Sequence, residues 1–341
     1  MGSDSSLKTV FLIHTGACNL LCSYCFNDGA EPELLSFDTI ARFLDFRLEK
    51  YGKGGSVIHF GGEPLFNRDV IIKTIKAYPF LSHQIVTNGT MIDTAFLEEI
   101  LPYNVEFEIS IDGDYETTSR KRSISPSDFK RIMSIIRFIQ THKGDEAVYS
   151  STVADPESCL TLSSSVKFLA QEAGLRSIGW NLARGMGYRY DPAALSRELG
   201  RAYQYADEER IRFYCVIPLC KGDACQHRSS ISALTAWGDV LSEQNVYAFR
   251  KCRYDVYESF LLGTVESLHT LAEPAPVSSS LCSKKQRGEC TGRYCTYLQL
   301  EELLDPSASA KECAVISLAL SSISDQVEAY YQGLFRRETA H

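Results

Sequence analysis

Apolar positions along the chain fall into short runs of five to seven residues, separated by longer stretches in which they recur every three or four positions. The short runs are residues 9–14, 56–60, 83–87, 105–111, 147–153 and 177–182. They are mostly apolar on both faces, the pattern of a parallel sheet covered by helices. The stretches between them predict helices with recognisable starts. Ser36 caps one that runs to about Tyr51 and places Ile40, Phe43, Leu44 and Leu48 on one face. Asn67 caps residues 69–77, with Pro79 as a stop, and Asp93 caps a short helix to Ile100. Ser127 caps a helix to about His142. Ser163 or a neighbour opens another that Gly174 ends, and Asp191-Pro192 opens a long one to about Arg210.

Six βα repeats in succession imply a parallel sheet with right-handed crossovers. The pattern alone does not separate a partial barrel from a doubly wound sheet. Beyond residue 210 it changes. Gly222, Gly238, Gly263, Gly288 and Gly292 punctuate short segments, a Pro- and Ser-rich loop follows Pro274, and helical stretches at 308–321 and 325–336 come last. No internal repeat is visible.

With 341 residues, 44% of them apolar, the chain can bury a large α/β core plus a smaller second one. The formal net charge of −8 disfavours a nucleic-acid partner held through phosphates. Arg120-Lys121-Arg122 is the strongest basic cluster and reads as a solvated loop. No apolar stretch approaches a membrane span, and the N-terminus lacks the pattern of a signal peptide. A cytoplasmic protein is expected, in which twelve cysteines point to metal or redox chemistry rather than disulfides.

Three of these cysteines, Cys18, Cys22 and Cys25, stand in the run Cys-Asn-Leu-Leu-Cys-Ser-Tyr-Cys just after the first apolar run. Thiolates so spaced can hold three irons of a 4Fe–4S cluster on one loop and leave the fourth iron open. A zinc knuckle is the competing reading, but zinc sites usually need four ligands and favour CxxC pairs.

Further motifs follow in order: Gly61-Gly62-Glu63-Pro64, Thr87-Asn88-Gly89-Thr90 and Ser110-Ile111-Asp112-Gly113. Over residues 8–185 this order resembles the radical S-adenosylmethionine (SAM) superfamily. The resemblance implies a partial (β/α)6 barrel over residues 1–210. It implies that Cys18, Cys22 and Cys25 ligate the cluster, and that Gly61, Gly62, Glu63 and Pro64 bind the SAM amino group. Tyr24 would contact the adenine, and Asn88 and Ser110 would face the same mouth. Asp112 bonds a hydroxyl, orients substrate or caps the turn at Gly113. Arg120 and Arg122 are candidates for the SAM carboxylate, and Asn181, Arg184 and Gly185 for the adenine pocket.

Residues 211–341 resemble a SPASM/twitch auxiliary-cluster domain. Cys220, Cys225, Cys252 and Cys295 could complete one cluster, and Cys282, Cys290 and Cys313 a second. Glu243 and Lys285 stand where that pattern has cysteines, and a structural zinc site is the alternative. Cys215, within an apolar run, reads as packing.

The resemblance implies a 5′-deoxyadenosyl radical that modifies a ribosomally made peptide. Crosslinking or oxidation is favoured, and epimerisation would need a thiol such as Cys159 or Cys215. The expected partners are a peptide substrate, an electron donor such as flavodoxin or ferredoxin, and a separate leader-binding protein. With 17 residues ahead of Cys18, no separate N-terminal peptide-binding domain is expected, so a leader would be recognised by the barrel mouth, the tail or that other protein. The rivals are a dehydrogenase or epimerase of a sugar or aminocyclitol, a sulfatase-maturing enzyme, and an iron–sulfur scaffold or redox sensor. No residue stands out as a catalytic acid, base or hydrogen donor.

Overall fold

The computed structural model describes residues 9–25, 27, 30–183, 189–215, 233–241, 257–258, 261–271, 323, 326–327 and 329–333. They divide into two compact units, each built from several segments of the chain.

The first unit holds β1 (Thr9–Ile13), β2 (Ser56–Phe60), β3 (Ser82–Thr87) and β4 (Val105–Ser110), paired in that order and all parallel. Three helices follow the first three strands: α1 (Phe37–Tyr51), α2 (Arg68–Ala77) and α3 (Thr94–Ile100). On its other side β1 pairs in parallel with β8 (Ala233–Leu234). From there β9 (Asp239–Leu241) and β10 (Leu261–Thr264) continue antiparallel. Gly238, at φ +81°, makes the turn from β8 to β9, a conformation that an L side chain resists. The core under β1 and β2 is aliphatic and aromatic. Val10, Leu12, Ile40, Phe43 and Val57 are each at most 1% exposed.

The second unit contains α4 (Tyr115–Arg122), the parallel strands β5 (Val148–Ala154), β6 (Ser177–Leu182) and β7 (Arg212–Cys215), and the helices α6 (Leu162–Gln171) and α7 (Pro192–Glu208). The helix α5 (Pro126–Lys143) belongs to the first unit apart from its opening proline. The parallel α/β repeat expected from the apolar runs is present in both units.

Two capping assignments hold, and Asp191, expected with Pro192 to open its helix, caps it as well. Ser36, Asp93 and Asp191 each accept a hydrogen bond from a first-turn backbone N–H. Asn67 is a correction: it makes no cap bond, because its amide is spent on tertiary partners described below. Helix α5 opens at Pro126 rather than at a Ser127 cap, as suits a residue with φ already set and no N–H to satisfy.

A second correction concerns residues 120–122. They end α4, which Asp114 caps, and Lys121 and Arg122 are buried. Only Arg120 faces solvent, paired with Glu157. Among the described residues no helix is long and apolar enough to cross a membrane. The tail positions Cys220, Cys225, Cys252, Cys282, Cys290, Cys295 and Cys313, with Glu243, Lys285, Arg184, Gly185 and the helix expected at 308–321, lie outside the described residues.

Candidate functional site

Past Ile13 the chain enters a loop that returns at Leu35. Its neck is closed by backbone bonds. His14 N–H donates to the Phe60 carbonyl at 2.8 Å, and Leu35 N–H donates to the His14 carbonyl at 2.9 Å. Cys18 and Cys25 are exposed on this loop and Cys22 is partly covered. Cys25 N–H donates to the Cys22 carbonyl at 3.0 Å, so the last two cysteines share one turn. Donors point at the sulfurs: Leu20 N–H at 3.5 Å and Asn88 Nδ2 at 3.8 Å to Cys18, and Asn27 N–H at 3.4 Å to Cys25. Desolvation pushes the Cys18 thiol up, the Leu20 N–H draws it back, and the Glu63 charge adds to the rise.

Gly61 and Gly62 follow β2 and lie against the base of this loop. Gly62 N–H donates to the Thr15 carbonyl at 2.8 Å and Glu63 N–H to the Ala17 carbonyl at 2.7 Å. A Cβ on Gly61 would sit 2.3 Å from the Thr15 oxygen, and one on Gly62 would sit 2.2 Å from the Ala17 oxygen. The two glycines therefore let one backbone approach another, that of the cysteine loop.

Glu63 is fully buried. Its Oε1 accepts from Leu65 N–H at 3.1 Å and from Thr87 Oγ1 at 2.7 Å, and its Oε2 accepts from Asn88 N–H at 2.8 Å. Burial pushes the carboxyl up to about 7, against these three donors, which pull it down. Pro64 opens the short 3-10 turn Pro64–Asn67 that Glu63 caps.

Asn88 works in the other direction. Its Nδ2 donates to Asn19 Oδ1 at 2.9 Å as well as toward Cys18, and its Oδ1 accepts from Thr90 N–H and Thr90 Oγ1. Asn19 Nδ2 closes the ring onto Thr90 Oγ1 at 2.8 Å. The end of β3 thus holds the cysteine loop through three side chains. Thr87 pairs with Ile109, so Asn88 and the half-buried Ser110 follow at neighbouring strand ends. Tyr24, also half-buried, sits in the turn before Cys25.

Residues 12–157 match the family described as the Radical SAM superfamily. The chain carries a radical SAM domain. Among curated relatives, the radical SAM cyclopropyl synthase TigE of Paramaledivibacter caminithermalis is 26% identical over 133 residues, 33% of this chain and 28% of that protein. The chain spans 39% of an uncharacterised protein of Methanocaldococcus jannaschii at 31% identity, so these relatives are matched over well under half their length. Among solved structures, anSMEcpe with bound AdoMet superposes with a TM-score of 0.67 at 13% identity. That match covers 95% of this chain and 99% of the other, and shows a shared fold.

Radical SAM enzymes use a 4Fe–4S cluster and SAM. The cysteine loop fits the cluster: its three thiols lie on one loop, and Cys18 and Cys25 receive N–H donors, the outer-shell bonds that tune cluster sulfur. Among the described residues no three His, Cys, Asp or Glu side chains converge as ligands of one ion would.

In the second unit Asp112 is buried in an ion cluster. Arg122 donates to it from Nε at 2.8 Å and Nη2 at 3.1 Å, Lys121 Nζ lies at 3.5 Å, and Val153 N–H donates at 2.8 Å. These partners outweigh the cost of burial and hold the Asp112 carboxyl below its usual range. Asn181, near the end of β6, accepts from Leu182 N–H with its own Oδ1. Cys215 is buried at the end of β7, and Cys159 is buried with its thiol toward the Pro156 carbonyl.

The sequence reading missed Asn19, Thr90 and three buried histidines. Thr90 carried a signal, since an Asn two residues ahead of a Thr is poised for an Asx turn. The histidines carried none.

Proposed function

We propose that this radical SAM enzyme modifies a ribosomally made peptide, with crosslinking or oxidation favoured over epimerisation. The observation that carries the reading is the likeness to anSMEcpe along nearly the whole chain. That protein has also been solved with AdoMet and the Cp18Cys peptide, and the match covers 95% of this chain with a TM-score of 0.66. SuiB of Streptococcus suis, solved with its precursor peptide SuiA, supports it at a TM-score of 0.54 over 72% of this chain.

In this reading Cys18, Cys22 and Cys25 hold the cluster. When bound, cluster and SAM supply a 5′-deoxyadenosyl radical that removes a hydrogen atom from the substrate. The chain's own residues bind and orient. The segment Gly61 to Pro64, with Tyr24, Asn88 and Ser110, frames the SAM site. Glu63 has both oxygens engaged by Leu65, Thr87 and Asn88, so its first task is to fix the strand ends against the loop. Contact with the SAM ammonium would add to that task. Residues 1–210 form the radical SAM barrel, and 211–341 hold one or two auxiliary clusters through Cys220, Cys225, Cys252, Cys282, Cys290, Cys295 and Cys313. A peptide substrate and an electron donor such as flavodoxin or ferredoxin complete the system.

The test is anaerobic turnover with SAM, a low-potential reductant and short peptides encoded beside the gene, read by mass spectrometry. Loss of about 2 Da per event supports crosslinking or oxidation. Unchanged mass with one solvent deuterium supports epimerisation. Turnover on a sugar or aminocyclitol alone contradicts the peptide assignment.

A further inference from the structure

Three buried histidines of the first unit, His14 just after β1, His59 on β2 and His83 on β3, form one hydrogen-bonded line. His14 Nε2 lies 2.9 Å from His59 Nδ1, and His59 Nε2 lies 3.1 Å from His83 Nδ1. The rings are stacked with centroids 5.1 and 5.4 Å apart. All three are fully buried. At the far end His83 Nε2 meets the Tyr78 carbonyl at 2.9 Å. At the near end Asn67 Nδ2 meets His14 Nδ1 at 3.2 Å and the Leu35 carbonyl at 2.7 Å.

The sense of this line is fixed from both ends. A carbonyl only accepts, so His83 Nε2 carries a hydrogen and its Nδ1 must accept. His59 Nε2 is then the donor and its Nδ1 the acceptor, which makes His14 Nε2 a donor and leaves His14 Nδ1 to accept. The Leu35 carbonyl independently requires Asn67 to present its amide nitrogen, and that nitrogen is the donor His14 Nδ1 needs. Every buried polar atom in the line is satisfied by one arrangement, with all three rings neutral. An added proton on any ring would set two N–H groups face to face. Burial agrees, pushing His14 down to about 3 and His59 and His83 below their ordinary value.

The near end of the line is the neck of the cysteine loop. His14 and Leu35 close that neck, and Asn67 is bonded to both. We propose that His14, His59 and His83 are positioning residues that, through Asn67, lock the neck of the cysteine loop and so set the geometry of the three cluster ligands. This rests on the assignment of the cluster to Cys18, Cys22 and Cys25.

The test uses the full chain labelled with 15N-histidine, both iron-free and reconstituted. Long-range proton–nitrogen spectra of the wild type should show three neutral Nε2–H rings. A neutral Nδ1–H ring or an imidazolium among them at pH 7 overturns the line. His83→Phe removes the far acceptor, two strands away from the loop. It should speed exchange of the Leu35 and Gly62 amides by at least about tenfold in the iron-free chain. It should also alter the EPR line shape and midpoint potential of the cluster. His83→Gln, whose amide can accept from His59 and donate to Tyr78, should restore all of these. If His83→Phe lowers the melting temperature but leaves amide exchange, line shape and potential unchanged, the residues are structural only and the proposal fails. Should His83→Phe not fold, the wild-type spectra and His83→Gln decide. A wild type that binds no iron at the loop defeats the cluster assignment instead, while the iron-free readings still judge the line.

Discussion

Glu63 and Asp112 are both buried carboxylates, and their surroundings set different consequences for removing them. Glu63 is met by neutral donors, so Glu63→Gln offers one acceptor oxygen where two are needed and leaves an N–H facing a donor. We expect a loss of about 1–3 kcal/mol in urea unfolding, and an unchanged midpoint would return Glu63 to an ordinary turn. Asp112 faces Arg122 and Lys121, so Asp112→Ala strands two buried cations and should cost about 3–5 kcal/mol in the same measurement. Protons report on the histidines. Their folded values lie below the ordinary 6.5, so their contribution is complete above that value and is lost as pH falls toward 3. Glu63 acts in the opposite sense, its contribution complete below 4.5 and lost as pH rises to about 7. With three groups against one, unfolding free energy should fall on acidification from pH 6.5, by up to about 1.4 kcal/mol per pH unit for each histidine. A flat profile between pH 6.5 and 4.5 would contradict this. Glu63 and Asp112 stood out in the sequence through their motifs, but their buried partners did not. Lys121 and Arg122 read as solvated because their partner Asp112 lies outside their own helix, and the histidines sit in or just after strands whose spacing says nothing of a partner across the sheet.

At the scale of elements, local rules were legible wherever the deciding partner was local. Ser36, Asp93 and Asp191 cap their helices because the N–H they satisfy is two or three residues away. Asn67 looked the same and is not a cap, because a carbonyl 32 residues earlier claims its amide. The glycine pair after β2 stood out in the sequence as part of the implied SAM site, and in the structure it packs against the backbone of the cysteine loop. Gly62→Ala should therefore act on the loop, since its Cβ would lie 2.2 and 2.4 Å from the Ala17 and Gly16 oxygens. Under anaerobic reconstitution this variant should bind less iron than wild type while keeping its helical circular dichroism. Full iron content would show that the loop yields without loss.

For the molecule as a whole, the order of motifs along the chain was the strongest guide, because a strand-end site draws one short segment from each βα repeat. The cysteines beyond residue 215 could be assigned only by resemblance, and they lie outside the described residues. One loop, held by Gly62, Glu63, Asn88 and Asn67, carries the three thiols that we propose ligate the cluster. The most direct test is reductive SAM cleavage by the reconstituted protein under anaerobic conditions, with 5′-deoxyadenosine quantified by chromatography. The wild type should form 5′-deoxyadenosine and methionine, and the Cys18→Ala, Cys22→Ala, Cys25→Ala triple variant should form neither. Undiminished cleavage by the triple variant would contradict the assignment.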